Sequence, residues 1–509
     1  MWWKEITEET AQTCQVLVIG TGPGGSFAAM TLAEAGMDVI VLEKGDSYGQ
    51  GNIPRNLREA TQKIYAEGSF RTADGSNPCP VAGGEGLGGG TLVNSAICFQ
   101  TPTATLEDWN LRCDNIFGDT ESFYQTQRDI FQLLQITETP EYLLSGNDKV
   151  HKTAAQTLGW KEANIWRNTP TCVGCSRCNA VCPSGGKNSM NIEILPRAVR
   201  AGAQIYIRCH VDHIEENATG CVVKVSVYGP NKAKIANLQI QSDIVIMAGG
   251  AIGTPEILLR SGMNNTQIGK GLHIHPVIST WGMLPNTCNS RGATQGHCIE
   301  EFSDDWVLLE ANPIIMGAFF QSFPIFGTET HTIMQQADKF VSTGALVKDI
   351  GEGQVHMPTL PTNNAHAKKS VISYELHPED KRRLIKGLRV AAELYLQGAD
   401  ATQVVPSIFG ASWCKTMKDV ETLLPWDMDP KRLIPYSSHP QSSCRIGRAC
   451  TQDGKLIGSQ NIYVFDSSAL PTNVGRNPQI SIMTLSRILS ERLLAKNNRT
   501  IPTLIPPPK

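Results

Sequence analysis

Four closely spaced cysteines are the residues whose type and spacing suggest chemistry most directly. Cys172, Cys175, Cys178 and Cys182 follow the C-x2-C-x2-C-x3-C-P pattern of bacterial ferredoxins. In those proteins three cysteines of the run bind one iron-sulfur cluster and the last binds another. This chain has no second run, so the four could hold one 4Fe-4S cluster, or three could hold a 3Fe-4S cluster. Zinc, which suits two Cys-x-x-Cys pairs, and free thiols in a packed loop are the alternatives.

A glycine-rich segment near the amino terminus predicts a dinucleotide site. It fills the three glycine positions of G-x-G-x-x-G in the run Gly20, Thr21, Gly22, Pro23, Gly24 and Gly25. Such glycines permit a tight turn and let the backbone approach a pyrophosphate at the start of a helix. Glu43, at the end of the next predicted strand, can accept hydrogen bonds from ribose hydroxyls. These residues leave FAD and NAD both open.

A second glycine-rich segment, Gly83–Asn94, favours FAD. It is too dense in glycine for a helix or a strand, and its backbone could lie flat against a large planar or phosphorylated ligand. A flexible surface loop is the alternative. Because the chain has no second complete G-x-G-x-x-G, a separate nicotinamide domain is not indicated.

Several ordered motifs together resemble the glucose-methanol-choline (GMC) oxidoreductase family. The segment that contains Gly88, Gly89, Gly90, Thr91 and Asn94 is most like the bacterial cholesterol oxidase and long-chain alcohol oxidase branch. Ala248–Gly262 is similar to the second signature of the family, and Ile268–Pro276 is similar to the segment that follows it. The resemblance covers the FAD-binding parts, about half of the chain, and no motif of the family is recognised between Pro276 and Pro435.

The resemblance implies that His439 and Asn477 form a catalytic pair. Ser438–Gly447 is similar to the segment that carries the histidine base, and Asp466–Gln479 is similar to the closing signature, whose histidine or asparagine lies beside the substrate oxygen. Histidine suits a base because its pKa is near working pH. The alternatives are a core histidine with satisfied nitrogens and an asparagine that caps a helix.

The resemblance also implies how FAD is held. Asp466 is expected near the ribityl chain and Asn94 near the isoalloxazine, although Asp466 could instead stabilise a turn. The loop from Gly88 to Ala96 lacks the histidine that tethers the flavin in some members of the family, so we expect noncovalent FAD. The predicted FAD-binding residues are Gly20, Gly22, Pro23, Gly24, Gly25, Glu43, Lys44, Gly88, Gly89, Gly90, Thr91, Asn94, Val211, Ala248, Gly249, Asp466, Ser467, Pro478, Gln479 and Ile480.

For the cysteines, the resemblance points in two directions. Cys172, Cys178 and Cys182 are similar to the triplet of the bacterial FAD glucose and fructose dehydrogenases, which pass flavin electrons through a 3Fe-4S cluster. Long-chain alcohol oxidases carry a similar cysteine-rich segment without an established cluster, and Cys182–Ser189 resembles it. We expect a cluster, which would favour a dehydrogenase.

The predicted elements that must position these residues are those of an α/β fold. Strand, helix and strand patterns over Gln15–Gly20, Gly24–Gly36 and Met37–Glu43 predict a Rossmann-type FAD-binding domain, and a second α+β substrate domain built on a β-sheet is expected. One amphipathic helix is predicted over Pro378–Gln397. The predicted regions are an FAD-binding domain in three parts (13–105, 186–275 and 435–500, the last with the catalytic residues), a mixed insertion with the cysteine-rich loop (106–185), a substrate-binding domain (276–434) and an extended tail (501–509).

Composition narrows the class of partner. The 509 residues are 41% apolar with a formal net charge of -3, and no basic run suggests a nucleic acid groove. We find no export signal and no stretch of ~18 apolar residues. We therefore expect a cytoplasmic protein without an integral membrane segment. In that setting fifteen cysteines do not indicate a disulfide framework.

The sequence therefore predicts an enzyme that oxidises an alcohol to an aldehyde or ketone by hydride transfer to FAD. If the cluster is present, electrons would leave through it to an acceptor other than oxygen. The alternatives are an oxidase that uses O2 without a cluster, and a noncatalytic flavin-binding or electron-transfer subunit, against which His439 and Asn477 argue. The sequence identifies neither the alcohol nor the physiological acceptor.

Overall fold

A computed structural model describes residues 3–49, 52–69, 71–289, 291–312, 323–325, 327–358 and 369–505. The strands are β1 (Thr10–Ile19), β2 (Val39–Leu42), β3 (Thr72–Asp74), β4 (Cys79–Pro80), β5 (Thr137–Glu138), β6 (Glu162–Asn164), β7 (Trp166–Arg167), β8 (Gln204–Tyr206), β9 (Cys209–Asn217), β10 (Gly220–Tyr228), β11 (Lys234–Met247), β12 (Lys270–Leu272), β13 (Val277–Met283), β14 (His297–Ile299), β15 (Val307–Ala311), β16 (Phe340–Val347), β17 (Gly353–His356), β18 (Val371–Ser373), β19 (Gln403–Pro406) and β20 (Ile462–Val464). The α-helices are α1 (Pro23–Glu34), α2 (Leu57–Ile64), α3 (Thr103–Arg112), α4 (Thr120–Leu133), α5 (Gly146–Leu158), α6 (Ile194–Arg200), α7 (Gly250–Arg260), α8 (Glu329–Gln335), α9 (Pro378–Glu393), α10 (Met417–Leu423) and α11 (Gln479–Lys496).

The predicted βαβ unit lies in the middle of a seven-stranded sheet. β1 runs parallel to β2 on one side and to β11 on the other, so Val16 lies between Val39 and Ile244. β8 and β20 extend the parallel part, while β9 and β10 add to β11 in antiparallel fashion. Val16 and Val39 are completely buried, as expected for parallel strands covered on both faces. The Rossmann-type interpretation is confirmed.

β11 is a strand of 14 residues with two differently buried parts. Exposed and buried residues alternate along its first part, and the apolar end, Val245–Met247, is buried throughout. The alternation belongs to the part that pairs with β10, and the apolar end lies between β1 and β20. β11 is therefore one continuous strand whose first part pairs with β10 and whose apolar end lies between β1 and β20.

A six-stranded antiparallel sheet forms the second region, in the order β19, β13, β16, β15, β14 and β6. α5 and α9 pack against this sheet, and β16, in its middle, is buried along its whole length. α9 begins after His377, whose side chain accepts a hydrogen bond from the amide of Glu379, and one π-helical turn, Leu394–Gly398, follows it. The expected sheet-built second region is confirmed.

A five-stranded sheet collects short strands from distant parts of the chain, in the order β12, β17, β18, β3 and β4, and β5 pairs with β7. The loop Gly83–Asn94 contains one turn of 3-10 helix, Gly89–Leu92, where the sequence predicts neither helix nor strand. Of the predicted extended tail, 501–505 form no helix or strand, Leu504 is buried, and 506–509 lie outside the described residues. Across the described ranges, no helix has the length and apolarity needed to cross a membrane.

Candidate active site

A cavity of about 300 Å³ lies where the parallel strands of the large sheet end. Gly20 follows β1, Glu43 follows β2 and Ala248 follows β11, and all three line the cavity. Ligands of open α/β sheets bind at such carboxyl ends of strands. The other predicted FAD-binding residues that line this cavity are Gly22, Pro23, Gly24, Lys44, Gly89, Gly90, Val211, Gly249, Asp466, Ser467 and Pro478.

The glycines of this cavity have two different tasks. Gly20 has φ +109°, and a Cβ there would lie 2.3 Å from the Ala248 carbonyl oxygen, while one on Gly24 would lie 2.0 Å from that of Phe465. Gly22 and Gly90 differ, since a Cβ on either would meet no described protein atom within 4 Å. The first two glycines allow close packing, and the other two leave space for a ligand. The residues present therefore fit the predicted dinucleotide.

The carboxylate of Glu43 joins the two glycine-rich loops. It accepts hydrogen bonds from the amides of Thr21 (3.2 Å), Gly45 (2.8 Å) and Gly86 (3.2 Å), and from the Thr21 hydroxyl. Burial raises the pKa of Glu43, and the bonds from Thr21 and Gly45 act in the opposite direction. Besides lining the cavity, Glu43 holds the loops that shape it.

Asp466 has a comparable structural task at the other end of the chain. Its carboxylate accepts from the amides of Gly250 (2.8 Å) and Ser468 (2.8 Å) and from the hydroxyls of Thr254 (2.5 Å) and Ser468 (2.5 Å). Burial raises its pKa against the effect of these donors. Asp466 therefore stabilises a turn, which was the alternative interpretation, while it also lines the cavity.

A second cavity of about 330 Å³ adjoins the first. The walls that the two cavities share include Gly83, Gly84, Gly90, His439 and Pro478. The second cavity also receives the predicted residues Thr91, Asn94, Asn477 and Gln479. His439 thus lies at the boundary between the predicted dinucleotide site and the space beside Asn477.

His439 can serve as a base in this position. The Nδ1 atom of the half-buried ring has no hydrogen-bond partner among the residues that the structure describes, which leaves Nε2 to reach a ligand. Burial lowers the pKa of His439 to about 4. The ring is therefore neutral at neutral pH and has a free lone pair for a proton, but it is a weaker base than the histidine with a pKa near working pH that the sequence predicts.

Asn477 directly precedes Pro478, the residue that flanks the start of α11, and no side chain caps this helix end. Its side chain is buried, and its Oδ1 has no partner within the described part of the chain. The alternative of a helix cap is therefore not what the structure shows. Asn477 instead lies beside the carboxyl group of Glu310.

Glu310 is a site residue that the sequence reasoning missed. It lines the second cavity and accepts a hydrogen bond from Gln295 Nε2 at 3.0 Å. Burial raises its pKa to about 7, although Asn477 and Arg476 act to lower it. A signal was present, because Glu310 is the only charged residue of the otherwise apolar strand β15. Gln295, Asn312 and Tyr436 also line this cavity and were missed.

Three predicted FAD-binding residues lie behind the cavity walls as the structure describes them. Gly25 packs against the Gly20 carbonyl oxygen, which a Cβ would approach to 2.0 Å. The Gly88 amide donates to the Thr21 hydroxyl at 3.0 Å, and Ile480 is completely buried in the core. In contrast, Asn94 lines the second cavity, and its Nδ2 donates to Gln479 Oε1 at 3.0 Å.

The cysteine run does not form the predicted cluster site. Among the described residues, which include all four cysteines, no group of three or more Cys, His, Asp or Glu side chains is arranged to hold a metal ion. Cys178 is buried and accepts a hydrogen bond from Arg167 Nη2 at 3.1 Å, whereas Cys175 is exposed. Burial acts to raise the pKa of Cys178, but Arg167 and Lys187 hold it below its ordinary value. As placed, the four thiols give no support to an iron-sulfur cluster or to zinc among the described residues.

Comparison with protein families agrees with this geometry. The model of an FAD binding domain matches residues 13–52, and the two models of GMC oxidoreductases match residues 61–277 and 351–486. An uncharacterized GMC-type oxidoreductase of Mycobacterium tuberculosis is 30% identical over 94% of this chain and 76% of its own length. A long-chain-alcohol oxidase of Arabidopsis thaliana is 28% identical over 94% of this chain and 68% of its own.

Solved structures show the same fold at low identity. Pyridoxine 4-oxidase from Mesorbium loti superimposes with a TM-score of 0.69 and 13% identity, over 94% of this chain and 99% of the other. Formate oxidase of Aspergillus oryzae gives a TM-score of 0.72 and 13% identity, over 97% and 100%.

Proposed function

We propose that this chain, which belongs to the GMC oxidoreductase family, oxidises the CH–OH group of an alcohol, with His439 and Asn477 acting on the hydroxyl. The family resemblance expected from the motifs is confirmed, and with it an FAD-binding oxidoreductase that acts on alcohols or related substrates. The particular alcohol, the acceptor and the catalytic pair are the parts we propose.

One observation carries the proposal: His439 lines both cavities and Asn477 lines the second. When bound, FAD supplies an electron-deficient ring that accepts hydride from a carbon atom. An alcohol in the second cavity then loses its hydroxyl proton to His439 Nε2. The Asn477 amide donates a hydrogen bond to the oxygen, which steadies the negative charge that develops there. The product is an aldehyde or a ketone.

The walls of the second cavity suit an alcohol with an apolar body. Ile97, Val277 and Leu346 contribute apolar surface, whereas Gln295 and Asn312 are polar. Such a mixture buries a hydrocarbon part and orients a polar group. The long-chain-alcohol oxidases among the relatives support this direction.

For the electron acceptor we propose O2, with hydrogen peroxide as the second product. This replaces the acceptor expected from the cysteine spacing, because the four thiols do not form a ligand set within the described residues. The relatives and structural neighbours, which include alcohol, pyridoxine and formate oxidases, favour the same choice. A dehydrogenase with a cluster is the competing hypothesis.

The test of the catalytic base is anaerobic reduction of the bound flavin by a panel of primary and secondary alcohols. His439→Ala is expected to keep the flavin spectrum and to slow reduction by about 10²-fold or more, the usual range for general base catalysis. His331→Ala, at an exposed position, is the matched control. Equal reduction rates in the His439 variant and the wild type would refute the assignment.

The acceptor is tested by measuring peroxide and alcohol consumption together, with and without an artificial electron acceptor. An oxidase forms one peroxide for each alcohol oxidised in air. Iron and acid-labile sulfide are counted on the same preparation. Stoichiometric iron and sulfide, with little peroxide, would overturn the oxidase proposal and restore the dehydrogenase.

A further inference from the structure

A second histidine, His275, lies next to His439 and has no role in the proposed mechanism. His275 is 0% exposed, and the centre of its ring is 5.1 Å from that of His439, at an interplanar angle of 39°. Its backbone has φ +50°, a left-handed conformation that is uncommon outside glycine. The fold therefore holds this ring against His439 at some cost in backbone energy.

Both ring nitrogens of His275 are buried and have no hydrogen-bond partner in the described parts of the chain, and the same is true of His439 Nδ1. Buried polar atoms in this state are rare and costly, so unpaired nitrogens on two adjacent rings call for an explanation. A metal ion does not provide one, because the described His, Cys, Asp and Glu side chains form no ligand set here. A hydrogen bond between the two rings would satisfy an atom on each.

Asp349 holds the His275 segment in place. Its carboxylate accepts from the amides of Ile274 (2.9 Å) and His275 (3.2 Å), from the Tyr374 hydroxyl (2.9 Å) and from the side chain of Asn473. Burial acts to raise the pKa of Asp349, but His273, the Ile274 amide and the electrostatic effect of His275 keep it below its usual value. Asp349 is therefore a fixed negative charge beside the left-handed turn.

The same network reaches the backbone of His439. Asn473 Oδ1 accepts from Gln441 Nε2 at 3.4 Å, and Gln441 Nε2 also donates to the His439 carbonyl oxygen at 3.2 Å. Gln441 and His273 exchange two backbone hydrogen bonds, of 3.0 and 2.9 Å. The backbone segments that carry His275 and His439 are thus connected.

The groups that face His275 keep its ring neutral. Burial and the neighbouring His439 lower the pKa of His275 well below its ordinary value, and Arg476 and Lys348 act in the same direction. Asp349 opposes them. A neutral imidazole always has one nitrogen that accepts a hydrogen bond.

We propose that His275 is a positioning residue for His439, and that its ring accepts a hydrogen bond from His439 Nδ1–H, directly or through one buried water. This bond would fix the tautomer of His439 that leaves Nε2 unprotonated toward the substrate, and it would strengthen when His439 becomes positively charged. The inference rests on the proposed function, because it acts through His439 as the base.

The test is a double-mutant cycle read by anaerobic flavin reduction. His275→Asn keeps a residue that tolerates the left-handed backbone but shortens the acceptor. We expect the reduction rate to fall roughly tenfold with KM unchanged, and His275→Gln, whose carbonyl reaches farther, to recover part of it. In the His439→Ala background the His275 substitution should have no further effect. Equal losses in both backgrounds would mean a merely structural role and would overturn the proposal.

The pH profile gives an independent readout. In His275→Asn the protonated ring of His439 loses the hydrogen bond that His275 accepts, so the pKa of His439 should fall. The acid limb of the plot of flavin reduction rate against pH should therefore move to lower pH. The matched control is His151→Asn, which removes another completely buried histidine, one whose Nδ1 lies 2.8 Å from Nδ1 of His297. An unmoved limb, or an equal shift in the control, would contradict the role of His275. If His439→Ala itself reduces flavin normally, the proposed function fails first.

Discussion

Glu310 brings a carboxyl group into the cavity that His439 and Asn477 line. Its side chain is 2% exposed, and Oε1 has no hydrogen-bond partner in the described part of the chain. Ionisation of such a group is costly because the buried charge is incompletely solvated. Burial accordingly raises its pKa to about 7. At physiological pH a proton can leave or bind Glu310 at little cost, which changes the charge beside Asn477.

Glu310→Gln should therefore alter stability in a pH-dependent way. The folded pKa is above that of the unfolded chain, so the stability contributed by protonated Glu310 is present below about pH 4.5 and is lost as pH rises toward 7. The neutral amide does not suffer this loss. We expect Glu310→Gln to gain up to about 3 kcal/mol relative to wild type between pH 5 and pH 8. Urea unfolding at both pH values, with saturating FAD, measures the difference.

The control for this experiment is Glu107→Gln, which changes an exposed carboxylate. It measures what the same substitution does at a carboxylate outside the cavity. A Glu310→Gln difference that is the same at pH 5 and pH 8 would show that the carboxyl group does not titrate in this range.

At the residue level, motif resemblance predicts His439 and Asn477 as a catalytic pair, but it does not predict their neighbours. Both lie at the second cavity, as expected of a pair. Glu310 lies on β15 and His275 in the turn after β12. No local sequence pattern shows that these segments approach the part of the chain that carries His439 and Asn477. Burial and unpaired nitrogens become visible only in three dimensions.

The same limit applies to the cysteine segment. Spacing predicts ligands but not the direction of a side chain, and Cys178 Sγ is directed at Arg167. Nearby, the buried Lys187 Nζ donates to the carbonyl oxygens of Leu92 (3.2 Å), Asn94 (3.1 Å) and Cys178 (2.8 Å). At the scale of elements, Lys187 therefore links the cysteine segment to the loop that carries Asn94.

The loop Gly83–Asn94 contains a glycine, Gly90, beside the space that we expect FAD to occupy. Gly90 lines both cavities, and a Cβ on it would meet no described protein atom within 4 Å. Gly90→Ala should leave the melting temperature of the apoprotein nearly unchanged, but it should weaken FAD binding by roughly tenfold or more, since the methyl group would occupy ligand space. Flavin fluorescence titration measures the affinity.

Gly49→Ala is the matched control, because a Cβ there also has open space, but Gly49 lines neither cavity in the structure as described. It should bind FAD as the wild type does. If Gly90→Ala binds FAD with unchanged affinity, the space beside Gly90 is not ligand space.

Sequence periodicity predicts the helices and strands whose apolar pattern is contiguous in the chain. The βαβ unit and α9 lie close to their predicted positions because their apolar patterns are strong and contiguous. The five-stranded sheet was not predicted, since β3 pairs with β18 from a far part of the chain. Nonlocal pairing of short strands leaves little trace in sequence periodicity.

On the scale of the whole molecule, the two cavities join the large sheet to the antiparallel sheet. Gly20 and Ala248, at strand ends of the first sheet, line one cavity, while Val277 of β13 and Leu346 of β16 line the other. His439 and Pro478, from the closing stretch, line both. A ligand that spans the boundary therefore contacts both sheets.

FAD should consequently stabilise the molecule as a unit. A ligand that binds only the folded state stabilises it by about 2.7 kcal/mol at a concentration of 100 times Kd. Calorimetry of the apoprotein at increasing FAD concentrations should show a rising melting temperature and a single transition, in which both sheets unfold together. Gly49→Ala, at a position that lines neither cavity in the structure as described, should behave as the wild type does, and Gly90→Ala should need more FAD for the same rise. A transition that stays at a fixed temperature while another moves would mean that FAD contacts only one sheet.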